Sequence, residues 1–120
     1  MRPLTRKEEI LLHLSECPRD HAITMPLSST QPGIRADLEL SKAGCSFVMA
    51  ELESAGLVRW KMAHVDGFPQ RLKAYILLPA ADDHVRLALA KLELLERAEE
   101  LTSKYDQLQL TFTLSPRVKG

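Results

Sequence analysis

Apolar residues first recur at helical spacing in Ile10, Leu11 and Leu14, one face of a 3.6-residue period. Ahead of them, Thr5-Arg6-Lys7-Glu8 fits a capping box, in which the Thr hydroxyl and the Glu carboxylate satisfy the first free backbone donors. The pattern predicts a first helix from Thr5 to Cys17, ended by Pro18. Pro18 to Ser29 reads as an irregular connection, with a short strand over Ala22-Ile23-Thr24-Met25 before Pro26. Thr30 caps a second helix. Its first turn tolerates Pro32, because a donor there is free anyway, and Ile34 and Leu38 form its inner face. After a brief break at Glu39-Leu40, Ser41 is a good N-cap for a third helix. Cys45, Val48, Met49 and Leu52 give that helix one apolar face, and Gly56 supplies the left-handed residue that stops it.

The period then changes from 3.6 to 2. Val58, Trp60 and Met62 alternate with Arg59, Lys61 and Ala63, which predicts a half-buried strand with Trp60 in the core. His64-Val65-Asp66-Gly67-Phe68-Pro69-Gln70 is a turn-forming tip. A second strand follows at Arg71 to Leu78, with Leu72, Ala74 and Ile76 on one face and Arg71, Lys73 and Tyr75 on the other; Pro79 closes the hairpin. From Asp82 to about Leu110 the chain reads as one long helix, its acidic first turn complementing the helix dipole. Leu87, Leu94, Leu101 and Leu108 repeat every seven residues, and Lys91, Ala98 and Tyr105 lie four after the first three, a coiled-coil-like stripe that Leu92 and Leu95 widen.

This order of elements predicts an α+β fold, a winged helix-turn-helix with a three-helix core, a two-stranded wing and a long C-terminal dimerisation helix. The expected divisions are a winged-helix domain over 1–80, the dimerisation helix over 81–110 and a flexible tail over 111–120. At 120 residues the chain has room for one core and an appendage. A helix of about 28 residues extends roughly 40 Å, more than so small a domain can cover, so part of the leucine stripe is expected to meet a second copy. The dimerisation residues are then Leu87, Leu94, Ala98, Leu101, Tyr105 and Leu108. The alternative is that the stripe packs on its own domain.

Composition narrows the chemistry. Hydrophobic residues at 45% and charged residues at 27% are those of a soluble globular protein. The longest apolar stretch, Ala74 to Ala81, contains Pro79 and is too short to span a bilayer, and Met1 to Glu9 lacks the apolar run of a signal peptide. A cytoplasmic protein without a membrane partner is expected. Cys17 and Cys45 have no CxxC partner and the four histidines are scattered, so no metal site, cofactor or catalytic group is expected.

The formal net charge is zero, but it is unevenly spread. Residues 57–80 carry Arg59, Lys61, Arg71 and Lys73 against Asp66 alone, whereas residues 81–110 carry four basic and seven acidic side chains. A basic hairpin beside an acidic helix divides two tasks along the chain. Thr30-Gln31-Pro32-Gly33-Ile34, Leu40-Ser41-Lys42, Leu52-Glu53 and Gly56-Leu57-Val58 resemble the winged-helix module of archaeal transcription regulators related to the MarR-like group. Ala63-His64-Val65-Asp66-Gly67 and Arg71-Leu72-Lys73-Ala74-Tyr75 extend the resemblance into the wing, so that it covers about Leu4 to Pro79.

The resemblance implies a homodimer on double-stranded DNA, with the third helix in the major groove and the wing on the backbone. The implied DNA-binding residues are Gln31, Lys42, Ser46, Phe47, Arg59, Lys61, His64, Arg71 and Lys73. It also leaves room for a small-molecule effector, which nothing in the sequence identifies. Blander readings stand beside these. Arg71 and Lys73 can be a solvated hairpin face, His64 can cap its turn, and Phe47 can be a thymine contact, a protein contact or a core residue. The outward face of the third helix holds Ala43, Gly44, Phe47, Ala50 and Glu51, with Lys42 and Ser46 as its main polar groups. Base readout needs donors and acceptors aimed at base edges, so a winged helix used for protein interaction is the alternative function.

Overall fold

The computed structural model describes residues 4–19 and 24–114, with side chains of the last helix followed to residue 109. Helix α1 spans Arg6–Ser15, and its capping box is formed: the Glu8 backbone donates to Thr5 Oγ1 (3.1 Å) and the Thr5 backbone to Glu8 Oε1 (2.8 Å). It ends two residues earlier than predicted. Strand β1 covers Thr24–Met25, and the remainder of the expected short strand, Ala22 and Ile23, lies outside the described residues. A 3-10 turn at Leu27–Ser29 leads into α2, Gln31–Leu38. Only glycine fits at position 33, since an added Cβ would stand 2.0 Å from the Leu27 carbonyl oxygen.

Glu39 takes a left-handed conformation (φ 55°) and turns the chain sharply into α3, Lys42–Ser54, capped by Ser41 Oγ, which accepts from the Gly44 backbone. Gly56 has φ 74°, the left-handed stop read from the sequence. Strands β2, Val58–Val65, and β3, Leu72–Leu77, form the antiparallel wing with Val58 opposite Leu77 and Ala63 opposite Leu72. β1 adds to the outer edge of β2 in parallel, Thr24 opposite His64 and Met25 opposite Val65. A 3-10 turn at Pro79–Ala81 then starts α4, Asp82–Leu114.

The main core is built from Ile10, Leu11 and Leu14 of α1, Ile34 of α2, Cys45, Met49 and Leu52 of α3, and Val58, Tyr75 and Leu77 of the sheet. Met25, Ala63, Ala74 and Ile76 form a smaller cluster on the opposite sheet face. The sheet is therefore buried on both faces along β3. Val58, Tyr75 and Leu77 pack against the helices on one face; Ala63, Ala74 and Ile76 join Met25 of β1 on the other.

This geometry overturns the expectation for Trp60. Trp60 is 45% exposed and Met62 52%: both point from the helix-facing side of the sheet, but at the level of Trp60 the helices cover β3, where Gln31 meets Tyr75, and not β2. Tyr75, expected on the outer basic face, stands directly opposite Trp60 on the same face and is buried in the main core. His64 is also displaced: it is the seventh residue of β2, not part of the turn.

Helix α4 runs on to Leu114, four residues into the stretch expected to fray; the rest of that tail lies outside the described residues. Ala81 just before it and its inner stripe, Val85, Ala88, Leu92 and Leu95, are buried or half-buried. Arg19 ties the helix start to the body through Asp82 (2.8 Å) and Lys91 does so through Glu8 (3.1 Å). Beyond Leu95 no described side chain is buried or half-buried. The radius of gyration of 20.7 Å exceeds the roughly 14 Å of a compact chain this long, and the longest dimension reaches 76 Å. Among the described residues, no helix is long and apolar enough to cross a membrane.

Candidate nucleic-acid interface

Burying Cys45, Met49 and Leu52 leaves the opposite side of α3 to solvent. Lys42, Ala43, Ser46, Phe47 and Ala50 are exposed there, and Phe47 at 66% is neither a core residue nor half-covered. The core reading of Phe47 is thereby removed.

A chain of side-chain hydrogen bonds joins this helix to the wing. Ser46 Oγ donates to Gln31 Oε1 (3.3 Å), and Gln31 Nε2 donates to Tyr75 Oη (3.2 Å). Gln31 is the first residue of α2, so one amide fixes α2, α3 and β3 to each other. Tyr75 in turn sits below Lys73 on the same strand face. Lys73 Nζ lies 4.5 Å from the centre of the Trp60 ring and 5.5 Å from that of Tyr75, within cation–π range of both. The result is a continuous surface from Lys42 and Phe47 across Ser46 and Gln31 to Lys73, Trp60 and Met62.

The basic residues named from the sequence do not all reach it. Strand register puts Lys73 opposite Met62 on this face, but Arg59 opposite Ile76 and Lys61 opposite Ala74 on the other. Arg59 and Lys61 are half-buried there. His64 is exposed, with Nε2 3.8 Å from Asp66 Oδ1, and Arg71 is exposed just before β3. Trp60 and Tyr75 are the residues that sequence reasoning missed. The signal was present in the cross-strand partnership of Trp60 with Tyr75 and of Met62 with Lys73, but it needs the register to be known.

The stripe on α4 is also settled in its placement. Leu87, Leu94, Leu101, Tyr105 and Leu108 are between 59% and 70% exposed, and Ala98 lies open with them. Their own domain leaves all of them largely open.

Cys17 and Cys45 are free thiols, and burial pushes the Cys45 thiol up, as expected of a core residue. Among the described residues no group of three or more His, Cys, Asp or Glu side chains is placed to hold a metal ion.

No family model matches the chain, and no curated protein matches it in sequence. Solved structures do match in shape. ZitR of Lactococcus lactis, in a cysteine-to-serine variant, superposes with a TM-score of 0.62 at 19% identity, covering 93% of this chain and 71% of its own. The transcriptional regulator PA3341 gives 0.59 at 22% identity, covering 96% and 82%. The MarR family transcription regulator SP03579 gives 0.54 at 24% identity, covering 92% and 70%. The fold is a winged helix, shared with these structures. In this chain the exposed side of α3 and the adjoining wing face form one surface, held by Gln31. Two of these structures are named as transcription regulators.

Proposed function

We propose that this protein is a cytoplasmic DNA-binding transcription regulator that acts as a homodimer and has no catalytic chemistry. The observation that carries the reading is the single surface in which Gln31 fastens α3 to the wing, with Lys73 held over Trp60 beside it. An exposed helix has the width of the major groove, and a basic hairpin next to it reaches the flanking backbone. In this reading Lys42, Ser46 and Phe47 enter the groove. Lys73 and Arg71 contact phosphates, and His64 sits toward the tip. Arg59 and Lys61, on the far sheet face, contribute to the local potential rather than to direct contacts. The leucine stripe of α4 joins two copies.

Phosphate contacts release counterions, so affinity falls with salt in proportion to their number. Replacing Arg71 and Lys73 together by Ala is expected to weaken binding to all sequences and to lower the salt slope by about two. An unchanged slope removes the wing from the mechanism.

The exposed Phe47 on an otherwise small and apolar helix face supports a second reading, a winged helix that docks on another protein. A gel shift at low salt separates the two: absence of any complex even with bulk genomic DNA rejects DNA binding in favour of protein recognition.

A further inference from the structure

The outer stripe of α4 carries an orientation as well as a partner. Written as a heptad, Leu87, Leu94, Leu101 and Leu108 fall at d, and Lys91, Ala98 and Tyr105 at a. In a parallel pair every residue meets its own twin. Lys91 would then face a second Lys91, followed by two alanines and then two tyrosines. That sequence of layers sets like charges together, then leaves a void, then overfills the seam. Two helices pack at a nearly constant 8–10 Å separation, roughly, and satisfy none of these in turn.

Antiparallel pairing brings each a residue against a d residue and removes all three conflicts. We propose that two copies join through α4 antiparallel, with the two-fold axis passing between Glu99 and Glu100. Leu94 then packs on Tyr105 of the partner subunit and Ala98 on Leu101 of the partner subunit, so that large meets medium and small meets medium. The Lys91 stem lies along Leu108 of the partner subunit, while its ammonium stays on Glu8 of its own chain, 3.1 Å away. An antiparallel register centred on Glu96 also matches a with d but sets Leu108, 59% exposed, against the polar His84 of the partner subunit. The starts of the two α4 helices stand about 50 Å apart along the pair, which places the winged domains at opposite ends.

This inference rests on the homodimer proposed above, and its test separates the two. Leu94→Cys and Tyr105→Cys chains are mixed, refolded together and oxidised, and the linked peptides are identified by mass spectrometry. Formation of the 94–105 disulfide supports antiparallel pairing, because those positions fall in one layer. The Leu94→Cys chain by itself should not cross-link, since its two copies lie about 16 Å apart along the axis, beyond disulfide reach. An efficient 94–94 disulfide overturns the orientation and leaves the dimer standing, as does a dimer that forms neither link. Sedimentation of the unmodified protein as a monomer overturns the dimer, and the orientation with it.

Discussion

Trp60 is the only tryptophan of the chain, and it lies on the proposed DNA surface under the Lys73 ammonium. Its fluorescence therefore reports on that surface with no background from other indoles. Duplex DNA at low salt is expected to quench or shift the Trp60 emission, and Lys73→Ala to weaken the complex; emission unchanged at saturating DNA would place the contact elsewhere. At the same scale Gly33 is fixed by sterics. A methyl group there would drive into the Leu27 carbonyl, and the backbone on both sides is tied into turns. Gly33→Ala is expected to cost about 1–3 kcal/mol, as overpacked core sites do, read as a lower urea midpoint at constant m. Sequence alone showed Gly33 only as part of a resemblance, because the close approach of Leu27 to the helix is not a local property.

At the scale of elements, α1 is secured at one point by several interactions. Glu8 closes the capping box on Thr5 and also pairs with Lys91 of α4. The backbone hydrogen bond from Thr5, then the bond from Lys91, hold the Glu8 carboxyl below the ordinary carboxylate range. A folded-state value below the unfolded one adds stability at pH above the unfolded value, and this is lost as pH falls through the folded one. Glu8→Gln is therefore expected to destabilise the protein at neutral pH, with the gap between variant and parent closing under acid conditions. Thermal midpoints across an acid series give the answer, and a gap independent of pH would contradict it.

The helices were legible element by element, with caps at Thr5, Thr30 and Ser41 all in place, because capping and 3.6-residue periodicity are encoded within a few residues. The strands were legible as strands, but not in their burial. A period of two shows that faces alternate; it does not show which face a neighbour covers, and here Tyr75 is buried while Trp60, directly opposite it on the same face, is open.

For the whole molecule, α4 is the decisive feature. Its outer stripe is open along most of the helix, so replacing Leu94 and Leu101 by Asp removes the proposed seam without touching the domain core. The expected product is a folded monomer by sedimentation, with near-parent thermal stability of the winged domain. It should bind DNA at least about a hundredfold more weakly, because two linked half-site contacts become one. A variant that remains dimeric would move the interface off α4.

By itself the sequence determined the order of elements, their caps and stops, the buried faces of α1 and α3, and the leucine repeat, since each is a pattern of near neighbours along the chain. Only the tertiary structure decided that Trp60 and Met62 lie open, that Tyr75 is buried, and that Arg59 and Lys61 stand apart from Lys73. Those outcomes depend on how far the helices extend over a sheet that also takes β1 on its edge. A strand carries no record of where its neighbours end.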